Sequence, residues 1–150
     1  MGIALALSIF WLITAGSAYQ PVIQANPQRQ VWEYSDLVPL AEEIRQRIGL
    51  TDCAYIFPDD EATANLYYLM RCPPPKFWVF HYPWYTLDWI RDRIMLTLKD
   101  HPPEWIVYFP GRWGIEERAP EIVDYLQDHY KREADLQWAQ GQVRLLRRLP

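Results

Sequence analysis

Apolar positions along this chain fall into three patterns, and each predicts a different element. From Met1 to Tyr19 no side chain is charged and apolar residues dominate; residues 20–34 (QPVIQANPQRQVWEY) then lose any period and carry two prolines. The second pattern is helical. Leu37, Leu40, Ala41, Ile44 and Ile48 recur at three- or four-residue spacing, which predicts one buried helix stripe. Ser35 or Asp36 is placed to cap that helix, Pro39 falls in a first turn whose N–H groups lack partners anyway, Glu43 and Arg47 pair on the wet face, and Gly49 stops it.

The third pattern is three short continuous apolar runs, each closed by an aromatic residue and a proline: Cys53 to Phe57, Phe77 to Tyr82, and Trp105 to Phe109. Continuous runs, unlike alternating ones, suit strands covered on both faces of a sheet. Helical spacing lies between and after them. Asp59 or Asp60 is placed to cap a helix through Ala62, Leu66 and Leu69; Thr86 or Asp88 opens one with Ile90, Ile94 and Leu98 inward; Pro120 begins one with Ile122, Val123, Leu126 and Tyr130 inward. Strand spacing of about 25 residues matches right-handed βαβ crossovers. The chain then reads as a hairpin, Ala134 to Ala139 and Gln142 to Leu149, turning at Gln140-Gly141. The expected fold is α/β: a small three-layer domain over residues 35–150, its central sheet parallel and its C-terminal hairpin antiparallel at the edge, joined by the 20–34 connector to a transmembrane segment at 1–19.

That first segment sits at the short limit for a membrane helix, which needs roughly 17 to 25 apolar residues. A cleavable signal peptide is the rival, with Ala15-Gly16-Ser17-Ala18 as its small-residue exit, but such peptides open on Lys or Arg and none precedes Arg29. A retained anchor, the closing part of a last membrane helix in a longer protein, or a buried soluble helix also fit the pattern. The anchored reading places membrane lipid among the partners.

Composition narrows the function classes. Net charge is −4, with the basic residues scattered, so nucleic acid is not an expected partner. Eight Trp and ten Tyr exceed ordinary usage, and such residues serve cores, membrane-interface belts and sugar-stacking surfaces. Cys53 and Cys72 are too few for a disulfide scaffold or a structural zinc site; they read either as a disulfide near one sheet edge or as two small buried hydrophobes. His81, His101 and His129 have no ligand spacing, and the chain has no GxSxG elbow, Gly-rich phosphate loop or Cys-His cue. No metal or cofactor is expected, and Asp88, Asp92 and Asp100 with Arg91 and Arg93 read as a solvated helix face.

In an open parallel sheet, ligands lie beyond the carboxyl ends of the strands. Those ends deliver Asp59, Asp60 and Glu61 after the first run, Trp84 and Tyr85 after the second, and Arg112 and Trp113 after the third. Carboxylates for hydroxyl groups, an arginine for phosphate and flat rings for sugars make Asp59, Asp60, Trp84, Arg112 and Trp113 the candidate groove for a glycan or lipid phosphate. The competing role is structural, with the aspartates as caps and the tryptophans as lids on core edges.

The run NLYYLMRCPPPKFWVF (Asn65 to Phe80), then HPPEWIVYFP (His101 to Pro110), PEIVDYLQDHY (Pro120 to Tyr130) and a terminal strand ending in Arg147-Arg148 resembles the extracytoplasmic C-terminal domain of polytopic membrane glycosyltransferases of the dolichyl-phosphate-mannose protein mannosyltransferase type. The resemblance implies a last membrane helix running into a soluble α/β tail, and a partner in the transmembrane part of the enzyme. It also implies that the acidic catalytic residues lie in an early extracytoplasmic loop that this chain does not match, so none is carried over. The alternative is a membrane-anchored binding or assembly subunit that recruits a partner through its aromatic surface.

Overall fold

A computed structural model of the protein describes residues 34–74 and 84–150. The chain divides into two compact units, Met1–Ser35 and Asp36–Pro150, and every element below belongs to the second. The segment 1–19, the connector to Glu33 and the expected strand Phe77 to Tyr82 with His81 lie outside the described residues. Among those described, no helix is long and apolar enough to cross a membrane.

The order of elements is α1 (Leu37–Ile48), β1 (Ala54–Phe57), α2 (Asn65–Met70), α3 (Asp88–Asp100), β2 (Trp105–Tyr108), a 3-10 turn (Arg112–Gly114), α4 (Ile115–Arg118), α5 (Pro120–His129), β3 (Tyr130–Trp138) and β4 (Gly141–Arg148). The fold is mixed α/β with a four-stranded sheet ordered β1-β2-β4-β3. β1 and β2 pair in parallel from Ala54 opposite Trp105 to Phe57 opposite Tyr108, and both are buried throughout. β4 pairs antiparallel with β2 and with β3. The hairpin forms one antiparallel edge of the sheet, as expected, with β4 beside β2 on the inside and β3 outermost. β4 can sit there because Val143, Leu145 and Leu146 are buried, whereas β3, with Lys131, Arg132 and Glu133 exposed, suits the outer position.

Residues alternate between the two faces of the sheet. Phe57, Ile106, Tyr108 and Leu146 join one core with Ile90, Ile94 and Leu98 of α3 and with Ile122, Val123 and Leu126 of α5. α1 and α2 pack on each other, α1 reaches β3, and the Tyr67 hydroxyl of α2 accepts the Ile56 amide of β1 at 3.0 Å. Leu37, Leu40, Ala41, Ile44 and Ile48 are the buried stripe of α1.

Several local details depart from the sequence pattern. Asp36 flanks α1 but its side chain does not cap it, because the carboxylate accepts the Trp138 indole N–H at 2.5 Å from the far end of β3. α3 starts after Leu87 with no side-chain cap. Asp88 instead pairs with Arg91, which is no solvated residue: it donates to the Tyr85 and Thr86 carbonyls at 3.1 and 3.2 Å and reaches Glu121 of α5 at 2.7 Å. The hairpin loop is Ala139-Gln140 rather than Gln140-Gly141, since Gly141 already pairs with Trp138. Tyr130 is buried, yet as the first residue of β3 rather than the last of a helix. The register of β3 slips between Arg132 and Ala134, so Asp135 faces Arg144.

Candidate functional site

The parallel register of β1 and β2 ends at the same level, so the loops that leave them are neighbours. Phe109, the residue after β2, donates its amide to the Phe57 carbonyl at the end of β1 at 2.9 Å. Asp60 in one loop thereby meets Arg112 and Trp113 in the other across more than fifty residues of chain. One Asp60 oxygen, Oδ2, accepts Arg112 Nε at 2.7 Å, Arg112 Nη2 at 2.6 Å and the Trp113 indole N–H at 2.6 Å. The other, Oδ1, accepts the amides of Ala62 and Thr63 at 2.9 and 2.8 Å and the Thr63 hydroxyl at 3.0 Å. Asp60 is thus a cap, as one reading of the sequence has it, but of the turn that leads into α2.

Burial and the surrounding donors pull this carboxylate in opposite directions. Burial alone would raise its pKa; the Thr63 amide, the Trp113 indole and the Arg112 charge outweigh that and hold it below the usual carboxylate range. Asp60 is therefore an anion that neutralises Arg112 in a place only 6% and 14% open at the two side chains. Arg112 is further enclosed by rings, with the guanidinium carbon 4.9 Å from the Trp138 ring centre and 5.5 Å from that of Trp113, and Nη1 donates to Gln140 at 3.3 Å.

Trp113 occupies a left-handed backbone position, φ 57, between Gly111 and Gly114, which do so at no steric cost. Its carbonyl accepts the Tyr85 hydroxyl at 2.6 Å, tying the turn to the residues before α3. That anchoring holds the ring half-exposed. Trp84, next to the fully buried Tyr85, is also half-exposed, and Asp59 is fully buried. Of the five candidate residues, the fold brings Asp60, Arg112 and Trp113 into one cluster, encloses Asp59, and leaves Trp84 on the surface.

Cys53 and Cys72 are joined as a disulfide, with their Cα atoms 5.5 Å apart. The local cause is Arg71, whose left-handed conformation ends α2 and turns the chain back so that the Cys72 amide reaches the Tyr67 carbonyl at 2.8 Å. The bridge closes the loop that carries Asp60. His129 stacks on Tyr125 at 4.1 Å and bonds its carbonyl, and among the described residues no three His, Cys, Asp or Glu side chains group to hold a cation.

A second polar group, absent from the candidates above, is Tyr108, Glu116, Arg132 and Arg144 beside α5. The available signal was an arginine at 144 inside the apolar run Val143 to Leu146, a charge where a half-buried strand wants a hydrophobe. No family model, characterised protein or solved structure matches the chain.

Proposed function

We propose that this chain is a non-catalytic extracytoplasmic C-terminal domain, or a separately encoded relative of one, of a membrane glycosyltransferase that uses a polyprenyl-phosphate-linked sugar. The observation that carries the placement is the Cys53–Cys72 disulfide, since such bonds persist in oxidising compartments and are rare in the cytosol. It agrees with the charge-free apolar sequence at 1–19, whose composition suits a membrane segment. The link to sugar transfer rests on the motifs from Asn65 to Tyr130. The candidate cluster fits a supporting role, because both Asp60 oxygens are committed within the fold. A glycan reaching this side would stack its sugar rings on the exposed faces of Trp84 and Trp113, with Asp60 and Arg112 positioning Trp113 from beneath.

A second reading, a membrane-anchored assembly subunit, draws on other exposed large rings, Tyr68 and Trp89, which the sugar-stacking role does not use. Protease treatment of sealed vesicles whose outer face is the extracytoplasmic one tests the shared placement: cleavage of the domain without detergent is expected, and protection would contradict it. Co-purification of the full chain with a polytopic glycosyltransferase separates the first reading from the second.

A further inference from the structure

Beneath the C-terminal half of α5 lies a cleft of about 250 Å³ whose floor is the sheet. Its apolar wall is Val123, Leu126 and Leu146, each at most 7% exposed. Its polar side carries Tyr108, Glu116, Gln127, Arg132 and Arg144. The chemistry is lopsided. Glu116 Oε1 already accepts the Tyr108 hydroxyl at 2.6 Å and the Gly111 amide at 2.8 Å, and the Tyr130 hydroxyl at the far end donates to the Pro103 carbonyl at 3.0 Å. Among the described residues, Arg132 is held by a 3.5 Å contact to Asp135 alone. Arg144 Nε is buried, and no described residue accepts its proton.

A buried donor without an acceptor is destabilising, more so on a charged group, so native folds seldom leave one unless something else satisfies it. β4 has no packing need for an arginine at 144, since its neighbour on the same face, Leu146, fills that role with a plain hydrophobe. Glu116 is, among the described residues, the one carboxylate lining the cleft beside two guanidinium groups, and the long contact of Arg132 to Asp135 lies in solvent. One oxygen of that carboxylate, Oε1, is already occupied.

We propose that this cleft is a binding site for a small organic anion, a carboxylate or phosphate monoester with a short apolar body, whose charged end is taken by Arg144 and Arg132 while its hydrocarbon lies along Val123, Leu126 and Leu146. A planar guanidinium offers paired donors to two oxygens of one carboxylate or phosphate, which a lysine does not. The volume suits a ligand of modest size, just below the ordinary range for drug-sized pockets. The site lies apart from the Asp60 cluster, and its existence does not depend on where the chain resides.

The test uses the full chain, titrated calorimetrically with hexyl phosphate, hexanoate and inorganic phosphate. Hexyl phosphate and hexanoate are expected to saturate one site, with inorganic phosphate at least about tenfold weaker for want of the apolar contacts. Arg144→Gln is expected to weaken the alkyl anions by about tenfold or more. Gln127→Trp, which fills the mouth from an exposed helix position, is expected to abolish binding with the thermal transition unchanged, and it decides the matter should Arg144→Gln fail to fold. Absence of saturable binding to the folded chain, or affinity undiminished in both variants, would overturn the proposal.

Discussion

Two arginines in this domain, Arg112 and Arg144, each stand near a carboxylate and a set of aromatic rings, yet one is closed and the other open. Around Arg112 the fork is met by Asp60 at 2.6 and 2.7 Å, the remaining Asp60 oxygen is saturated by Ala62 and Thr63, and rings cover the cation. Around Arg144, Glu116 Oε1 accepts from Tyr108 and Gly111, and the arginine Nε–H is buried with no acceptor among the described residues. Residue types that suit a ligand site do not make one. What matters is whether the fold has already used their hydrogen bonds, and only the structure reports that.

The closed cluster is where substitution should cost most. Asp60→Ala strips Arg112 of its counter-charge and the Ala62 and Thr63 amides of their acceptor, and breaking such an enclosed pair from one side costs about 3–5 kcal/mol. Urea unfolding of the variant would measure it, and a loss below about 1 kcal/mol would mean that the pair is not structural. Next comes the staple around the same loop. Cys53→Ser with Cys72→Ser removes a bridge spanning 19 residues, for which loop-closure entropy gives about 3 kcal/mol, and reductant should lower the urea midpoint of the native chain by a similar amount without affecting the double variant.

Acid should sharpen the same contrast by a smaller amount. The folded Asp60 pKa is depressed, so its contribution is present above the unfolded value, about 4, and fades as the pH falls through the folded value. Unfolding midpoints at pH 7 and pH 3 should therefore differ more in the native chain than in Asp60→Asn. Smallest of all is the open side. Arg144→Met removes a buried unpartnered donor and keeps the apolar stem, so stability should stay within about 1 kcal/mol and can rise. A loss as large as that of Asp60→Ala would show that Arg144 is a structural partner after all.

What the chain discloses in advance follows the same division. Stripes such as Ile90, Ile94 and Leu98, or Ile122, Val123 and Leu126, state a helix face directly, because burial leaves a period in the sequence. The runs before Pro58 and Pro110 likewise mark β1 and β2, and the loops that follow them hold three of the five candidate residues in one cluster. Long-range polar pairing leaves no such period. Nothing local in Ser35-Asp36-Leu37 says that the aspartate serves Trp138, or that Arg91 reaches from α3 to Glu121 rather than to water. The edge position of the hairpin was legible, but which arm lies outermost was not; the exposed charges of β3 claim that position. The Arg144 cleft combines both difficulties, with its members drawn from β2, α4, α5 and both arms of the hairpin.

One measurement addresses the contrast at both arginines together: the side-chain Nε–H signals of Arg112 and Arg144 in nitrogen-15-labelled protein, followed by NMR as hexyl phosphate is added. The expected result is a saturable shift at Arg144 Nε–H with Arg112 Nε–H unmoved. A shift centred on Arg112, or no shift at either site, would contradict the account.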